Sequence, residues 1–368
     1  MAHPVMHRRR LLQALLAALG GGPAAAAVPE LDPLAHAATL QPRAATGVLL
    51  ALGRAGSRLV AVGERGTILL SDDEGRAWRQ VPAPVSVSLT GVSFADERLG
   101  WIVGHGQVVL HTRDGGHTWA RQLDGRQVAQ LELAAAQAAG DADAVRTAER
   151  WVKEGADKPF LDVHFFDARH GLAIGAYGSV IATDDGGATW RSRRADVPNP
   201  GARHLYRVHV DGDTVWLCGE QGLLVRAAGR DTAFTPVKTP YAGSFFGMAS
   251  LPRTLLVYGL RGNLWRSTDD GAEWRRVPLP APVTVTGAAV LSGGRVVLVD
   301  EAGKLLLSTD GGAGFQTLSM AKAAAFTDAV ATRDGAVVLA STRGPVRLQP
   351  QGGPDGHAAA PMASRTTP

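Results

Sequence analysis

A short pattern recurs along this chain: Ser or Thr, then Asp two residues on, Gly two further, and an aromatic three beyond that. It reads S-D-D-E-G-R-A-W at 71–78, T-R-D-G-G-H-T-W at 112–119 and T-D-D-G-G-A-T-W at 183–190. It returns as S-T-D-D-G-A-E-W at 267–274 and S-T-D-G-G-A-G-F at 308–315, and a worn copy at 227–234 keeps only its terminal Phe. The closing aromatics are Trp78, Trp119, Trp190, Phe234, Trp274 and Phe315, at spacings of 41, 71, 44, 40 and 41 residues. A period near 40 means an array of small sheets, of which the simplest is a β-propeller.

A second ladder keeps the same register. Each unit carries two apolar runs across a Gly-x-x-Gly turn, as in LVAVGERGTILLS from Leu59, LAIGAYGSVIAT from Leu172 and LLVYGLRGNLWRS from Leu255. Seven such copies occur. The first Gly becomes Asp300 or Ser341 in the last two, and in the second copy the later Gly moves to Gly106. Two apolar runs across a Gly-containing tight turn read as a hairpin, with Gly where φ must be positive. An earlier strand precedes each hairpin: TGVLL from Thr46, TGVSF from Thr90, LDVHF from Leu161, YRVHV from Tyr206, FGMAS from Phe246, TGAAV from Thr286 and TDAVA from Thr327. With the segment after each box this makes four strands, A to D from the inside outward. The fold class is therefore all-β, a seven-bladed β-propeller spanning 46–348. The seventh unit lacks its own last strand, and the segment around 34–41 is the candidate to close the ring and remove a free edge.

One interval breaks the period. The 71-residue gap holds an extra segment at 126–158, in which apolar residues recur at helical spacing. Asp141 reads as an N-cap and Gly155 as a stop, so a helical hairpin is expected between blades two and three.

The ends read differently from the body. Arg8, Arg9 and Arg10 precede an apolar stretch at 11–19 and an Ala25-x-Ala27 site, so residues 1–27 form an export signal. The run His7-Arg8-Arg9-Arg10-Leu11-Leu12-Gln13 also fits a twin-arginine signal, which leaves twin-arginine and general secretory export both open. The expected location is periplasmic. The stretch is too short to span a membrane. Removing residues 1–27 takes three arginines and no acid, so the net charge falls from +4 to +1. Basicity then gives no reason to expect nucleic acid or stable membrane insertion. Residues 28–45 read as linker and closing strand, and 349–368, rich in Pro, Gly, Ala and Thr, as a disordered tail. The single cysteine, Cys218, permits no internal disulfide and reads as a buried small apolar residue.

The boxes resemble the Asp-box (bacterial neuraminidase) repeat. Their residues suit the turn joining strands C and D. The carboxylate accepts turn N–H groups, the hydroxyl supports it and the aromatic packs within the blade. Asp73, Asp114, Asp185, Asp269 and Asp310 are thus structural acids, spread around a rim where they cannot converge on a metal. No catalytic residue, metal site or cofactor is expected. Sialidase chemistry would need an arginine clamp and a Tyr–Glu pair, which Tyr177, Tyr206, Tyr241 and Tyr258 do not offer. A two-carboxylate hydrolase would need acids facing across a cleft, and the inner strands carry only Asp162 and Asp328. A glycan-binding or glycan-hydrolysing propeller is the alternative reading.

The mature chain resembles the photosystem II stability/assembly factor family, most of all its relatives in non-photosynthetic bacteria. Repeats such as G-L-A-I-G-A-Y-G-S-V-I-A-T-D-D-G-G-A-T-W at 171–190 carry the likeness, with the lead-in D-K-P-F-L-D-V at 157–163. The resemblance implies an exported propeller that binds and chaperones membrane-protein subunits without catalysis. For this chain that means a membrane or envelope protein partner and a scaffolding role.

In a propeller the B–C and D–A connections share one face. The boxes occupy the other. The first face would carry the Gly-x-x-Gly tips, with Arg65, His105, Tyr177, Arg261 and Arg343, and near the channel mouth Asp162 and Arg207. The insert rises from this face too, and its Trp151 completes the expected partner-binding set.

Overall fold

The computed structural model describes residues 32–318 and 324–350; the expected signal (1–27) lies outside the described residues, as does nearly all of the expected tail. The described residues from Pro33 onward form one compact unit. It holds seven antiparallel sheets, each ordered as a simple meander. Six have four strands and the seventh, Phe326–Ala331, Val337–Ser341 and Val346–Leu348, has three. The seven-bladed propeller is as expected.

The strand-B runs are apolar without alternation because both faces of every blade are buried. In blade one, Val60 and Val62 pack with Ile102 and Leu110 of blade two, while Leu59 and Ala61 pack with Val338 and Ala340 of blade seven. The core is thus a set of layers between neighbouring blades. Inner strands are also clamped laterally. Thr90 Oγ1 donates to Phe160 O (2.7 Å), Thr286 Oγ1 to Phe326 O (2.8 Å) and Thr327 Oγ1 to Leu49 O (2.8 Å).

The boxes fold as read. In blade three, Thr183 Oγ1 donates to Asp185 Oδ1 (2.8 Å) and accepts from Gly187 N (2.8 Å), while Thr189 N donates to Asp185 Oδ1 (2.9 Å). Asp73, Asp114, Asp269 and Asp310 repeat the arrangement. The aromatics, including Phe234 of the worn copy, are buried.

The two glycines of each Gly-x-x-Gly turn serve different ends. The second has positive φ, as at Gly66 (69°) and Gly262 (68°), and follows a left-handed non-glycine, Arg65 (55°) or Arg261 (56°). Two consecutive left-handed residues make a type I′ turn. Blade two places Gly106 (67°) and Gln107 (50°) in those positions, which explains its displaced glycine. The first glycine is extended and is required by close approach instead. A Cβ on Gly63 would sit 2.0 Å from Val48 O, and one on Gly259 would sit 2.0 Å from Ser244 O.

Three expectations are corrected. Strand A of blade one is Leu49–Ala55, and Thr46 lies in a preceding 3-10 turn. The register set by Leu49 facing Gly63 aligns Ala51, not Gly47, with Gly91 of blade two. Second, residues 34–41 form no strand. Ala38 N donates to Ala83 O and Ser86 N to Pro33 O, so the segment crosses blade one rather than completing blade seven. Third, the helical hairpin is present as α1 (Gly125–Ala139) and α2 (Ala142–Glu154), but its Trp151 is 4% exposed. Asp124 forms a capping box with Gln127, which starts α1 earlier than its apolar pattern suggests, while Asp141 caps α2 as expected.

Candidate protein-binding face

Strand A of each blade lines the central channel. Strand pairing puts Ala51, Gly91, Asp162, Arg207, Gly247, Gly287 and Asp328 at equivalent positions. Four of the seven are Ala or Gly. The three charged residues meet. Arg207 Nη1 lies 3.8 Å from Asp162 Oδ1 and Nη2 lies 3.6 Å from Asp328 Oδ1. Each carboxylate also holds the next blade. Val208 N donates to Asp162 Oδ2 (2.9 Å) and Leu52 N to Asp328 Oδ2 (3.0 Å). Burial pushes both carboxyls up against the pull of Arg207, while the two acids together hold Arg207 firmly protonated against its own burial. Cys218, beside Arg207 in the pairing, is fully buried and its thiol is pushed up to about 12 by that burial.

Above this ring an aromatic ladder runs over blades three to five. Ring centroids of Tyr177 and His204 are 5.0 Å apart, and those of Tyr206 and Phe246 are 5.0 Å apart. Glu220 ties the ladder down. It accepts from His204 N (2.8 Å) and from Tyr206 Oη (3.4 Å), a Tyr–Glu pair that corrects the expectation that none of the tyrosines has a glutamate partner. Burial and then Glu220 push the Tyr206 phenol up to about 12, so it stays neutral.

The tips Arg65, His105, Tyr177, Arg261 and Arg343 are exposed, each on a different blade. Tyr177 is 48% exposed despite its size. The insert stands on the same side: a Cβ on Gly125 would meet the tip carbonyl Gly106 O at 3.0 Å. Asp162 and Arg207 come together, a pairing that their separate places on the inner strands did not imply. The tips are distributed around the ring. Trp151 is not an exposed member of the set, because the guanidinium of Arg194 lies over its ring at 4.9 Å and the ammonium of Lys158 at 5.4 Å. Glu132 and Arg194, which also shape this side, were not singled out from sequence. Among the described residues no cluster of three or more His, Cys, Asp or Glu could hold a metal ion. No described helix is long and apolar enough to cross a membrane.

A ring of Asp-box blades with an inner charged triad and a side bearing exposed Arg and Tyr defines a seven-bladed Asp-box propeller. Within that class the chain is similar to the photosystem II assembly factors. Its sequence matches the family described as photosynthesis system II assembly factor YCF48 over residues 57–131 and 141–239. It is 28% identical over 150 residues to the photosystem II assembly lipoprotein Ycf48 of Synechococcus sp. (strain CC9902), covering 39% of this chain and 44% of that one. The aligned stretch thus spans under half of that relative. A solved structure of YCF48 bound to a D1 peptide superposes with a TM-score of 0.62 at 19% identity, covering 86% of this chain and 97% of that chain. The GH74 xyloglucanase of Xanthomonas campestris superposes at 0.60 with 14% identity, covering 89% of this chain and 55% of that one. At such identities the structural likenesses speak to fold alone.

Proposed function

We propose that this chain is an exported, non-enzymatic binding protein. It engages a polypeptide segment of a membrane or envelope protein on the insert-bearing face and assists assembly of the complex to which that partner belongs. The observation that carries the reading is the Tyr177–His204–Tyr206–Phe246 ladder, on a face whose turn tips also carry exposed Arg65, Arg261 and Arg343. Aromatics and arginines are the side chains most enriched at protein–protein contacts. A relative solved with a D1 peptide supports a peptide as the ligand class. Relatives named as lipoproteins, together with the Arg8–Arg10 signal, support export to the periplasm.

The channel geometry weighs against the glycan-hydrolase alternative. Asp162 and Asp328 each accept a backbone N–H from the next blade, and Arg207 stands between them. Neither is presented to a substrate as an acid–base pair requires.

The test is site-specific photocrosslinking in the source cells. A benzophenone side chain at Tyr177 or Arg261 should yield a discrete adduct with an envelope or membrane protein. The same probe at His117, within a box on the opposite face, should not. Equal adducts from both faces, or turnover of sialosides or xyloglucan by the purified protein, would overturn the reading.

A further inference from the structure

Between the helical insert and the outer edge of blade three lies a half-open cleft of about 540 Å³. That volume falls in the range of ligand sites. Its walls are apolar: Ala135 and Ala148 of the two helices, Pro198 and Pro200 of the connection after blade three, and Trp151. Four charged side chains line it: Asp141 and Asp143, which are taken up at the start of α2, the first by Asp143 N and Ala144 N and the second by Arg146, and then Glu132 and Arg194. Glu132 is 5% exposed. Its Oε2 accepts from Ser192 Oγ (3.0 Å), whereas its Oε1 is buried with no partner. Arg194 also lines the cleft, its guanidinium over Trp151 at 4.9 Å.

A buried acceptor left without a partner is destabilising, so a donor is the missing element. The identity of that donor follows from the pair. An ammonium would satisfy Glu132 but be repelled by Arg194. A carboxylate would satisfy Arg194 but be repelled by Glu132. Burial pushes the Glu132 carboxyl up, which further disfavours a cationic ligand. A peptide group carries one N–H and one C=O and no charge, and it suits both. We propose that this cleft captures one apolar residue of an extended polypeptide, with its peptide N–H on Glu132 Oε1, its C=O on Arg194 and its side chain against the alanine, proline and tryptophan walls. The cleft reaches Gly178, next to Tyr177, so a segment bound at the ladder continues into it. Only this assignment of the peptide's source rests on the function proposed above.

The probe is N-acetyl-L-leucine N-methylamide, titrated into the full chain while the indole N–H resonance of Trp151 is followed, assigned with Trp151→Phe. A saturable shift is expected. Ala135→Trp, which fills the cleft, and Glu132→Leu, which removes the acceptor, should each weaken binding at least tenfold, while Glu132→Gln retains it. All three should melt cooperatively. No saturable shift, or equal binding by Ala135→Trp, would overturn the site. Displacement of the probe by a synthetic peptide of residues 351–368 at a lower concentration than the probe itself would overturn the external source. Loss of the Tyr177 adduct with probe binding intact would sink the proposed function and leave this site standing.

Discussion

Arg207 neutralises two carboxyls that no other described cation approaches within ion-pair distance, so its removal should have a characteristic pH signature. In Arg207→Met, Asp162 and Asp328 remain buried without their cation, and both folded-state pKa values climb well above the unfolded value. A carboxyl raised in the folded state holds its proton there longer than in the unfolded chain. Its effect is benign at low pH and destabilising as pH rises through the folded value. The variant should therefore lose about 2–3 kcal/mol at pH 7.5, under the ~3–5 of a fully buried pair because Arg207 is partly exposed, with a much smaller deficit at pH 5. His164 and His209, which burial pushes down to about 4, stay neutral in the folded protein over this range and take up protons there only when unfolded. They are common to both proteins and largely cancel in the difference. Denaturant melts at the two pH values decide the matter, and a deficit of equal size at both would refute the triad as described. The box acids were legible in the sequence because every partner of Asp185 lies within four residues. The triad was not. Its members were each recognisable as channel residues, but their meeting depends on strand register around the ring, which no local pattern encodes.

The insert shows the same limit at the scale of an element. Its existence and caps are local properties, and Asp141 and Gly155 end α2 where the spacing places them. What its apolar face touches is not local. An amphipathic helix with Trp on one side reads equally well as a docking surface or as a packed rim. Here the rim prevails: Val128 and Ala129 are buried, Val128 joins the blade-two and blade-three core, and Trp151 is covered by Arg194 and Lys158. Trp151→Ala should accordingly cost the hairpin about 3 kcal/mol, the low end of aromatic core truncations. Because the loss falls on an appended unit, amide exchange should accelerate through α1 and α2 while the strands of blades five and six keep their protection. Uniform acceleration through the blades would mean that the hairpin is part of the global cooperative unit.

At the scale of the whole molecule the question is how a ring closes when its seventh sheet has three strands among the described residues. Many closed rings share a sheet between chain ends; among the described residues this junction also carries a set of side-chain bonds. On the inner strands Thr327 and Asp328 bond to Leu49 O and Leu52 N of blade one. On the box-bearing face Arg54 of blade one reaches Ala331 O (2.8 Å) and Glu74 (3.1 Å). Arg347 of blade seven donates to Glu74 O (2.9 Å) and pairs with Asp334, which also holds Arg76 of blade one at 2.6 Å. Arg347 is 5% exposed, so its pairing matters more than that of a surface bridge. The hydroxyl of Thr332, then Arg76 and Arg347, bring the Asp334 carboxyl down to about 2. A carboxyl depressed in the folded state contributes stability that is complete above the unfolded value near 4 and lost as pH falls toward 2. Asp334→Asn should therefore lower the melting temperature by several degrees at pH 7, from about 1–3 kcal/mol of lost pairing at a buried cation. The gap to the unmodified protein should close progressively between about pH 4 and pH 2. Limited proteolysis should locate the first cut of the variant at the junction of blades seven and one. A first cut elsewhere, or a gap that persists undiminished near pH 2, would show that the ring is held shut by apolar packing between Trp78, Leu59 and Val338 and not by this latch.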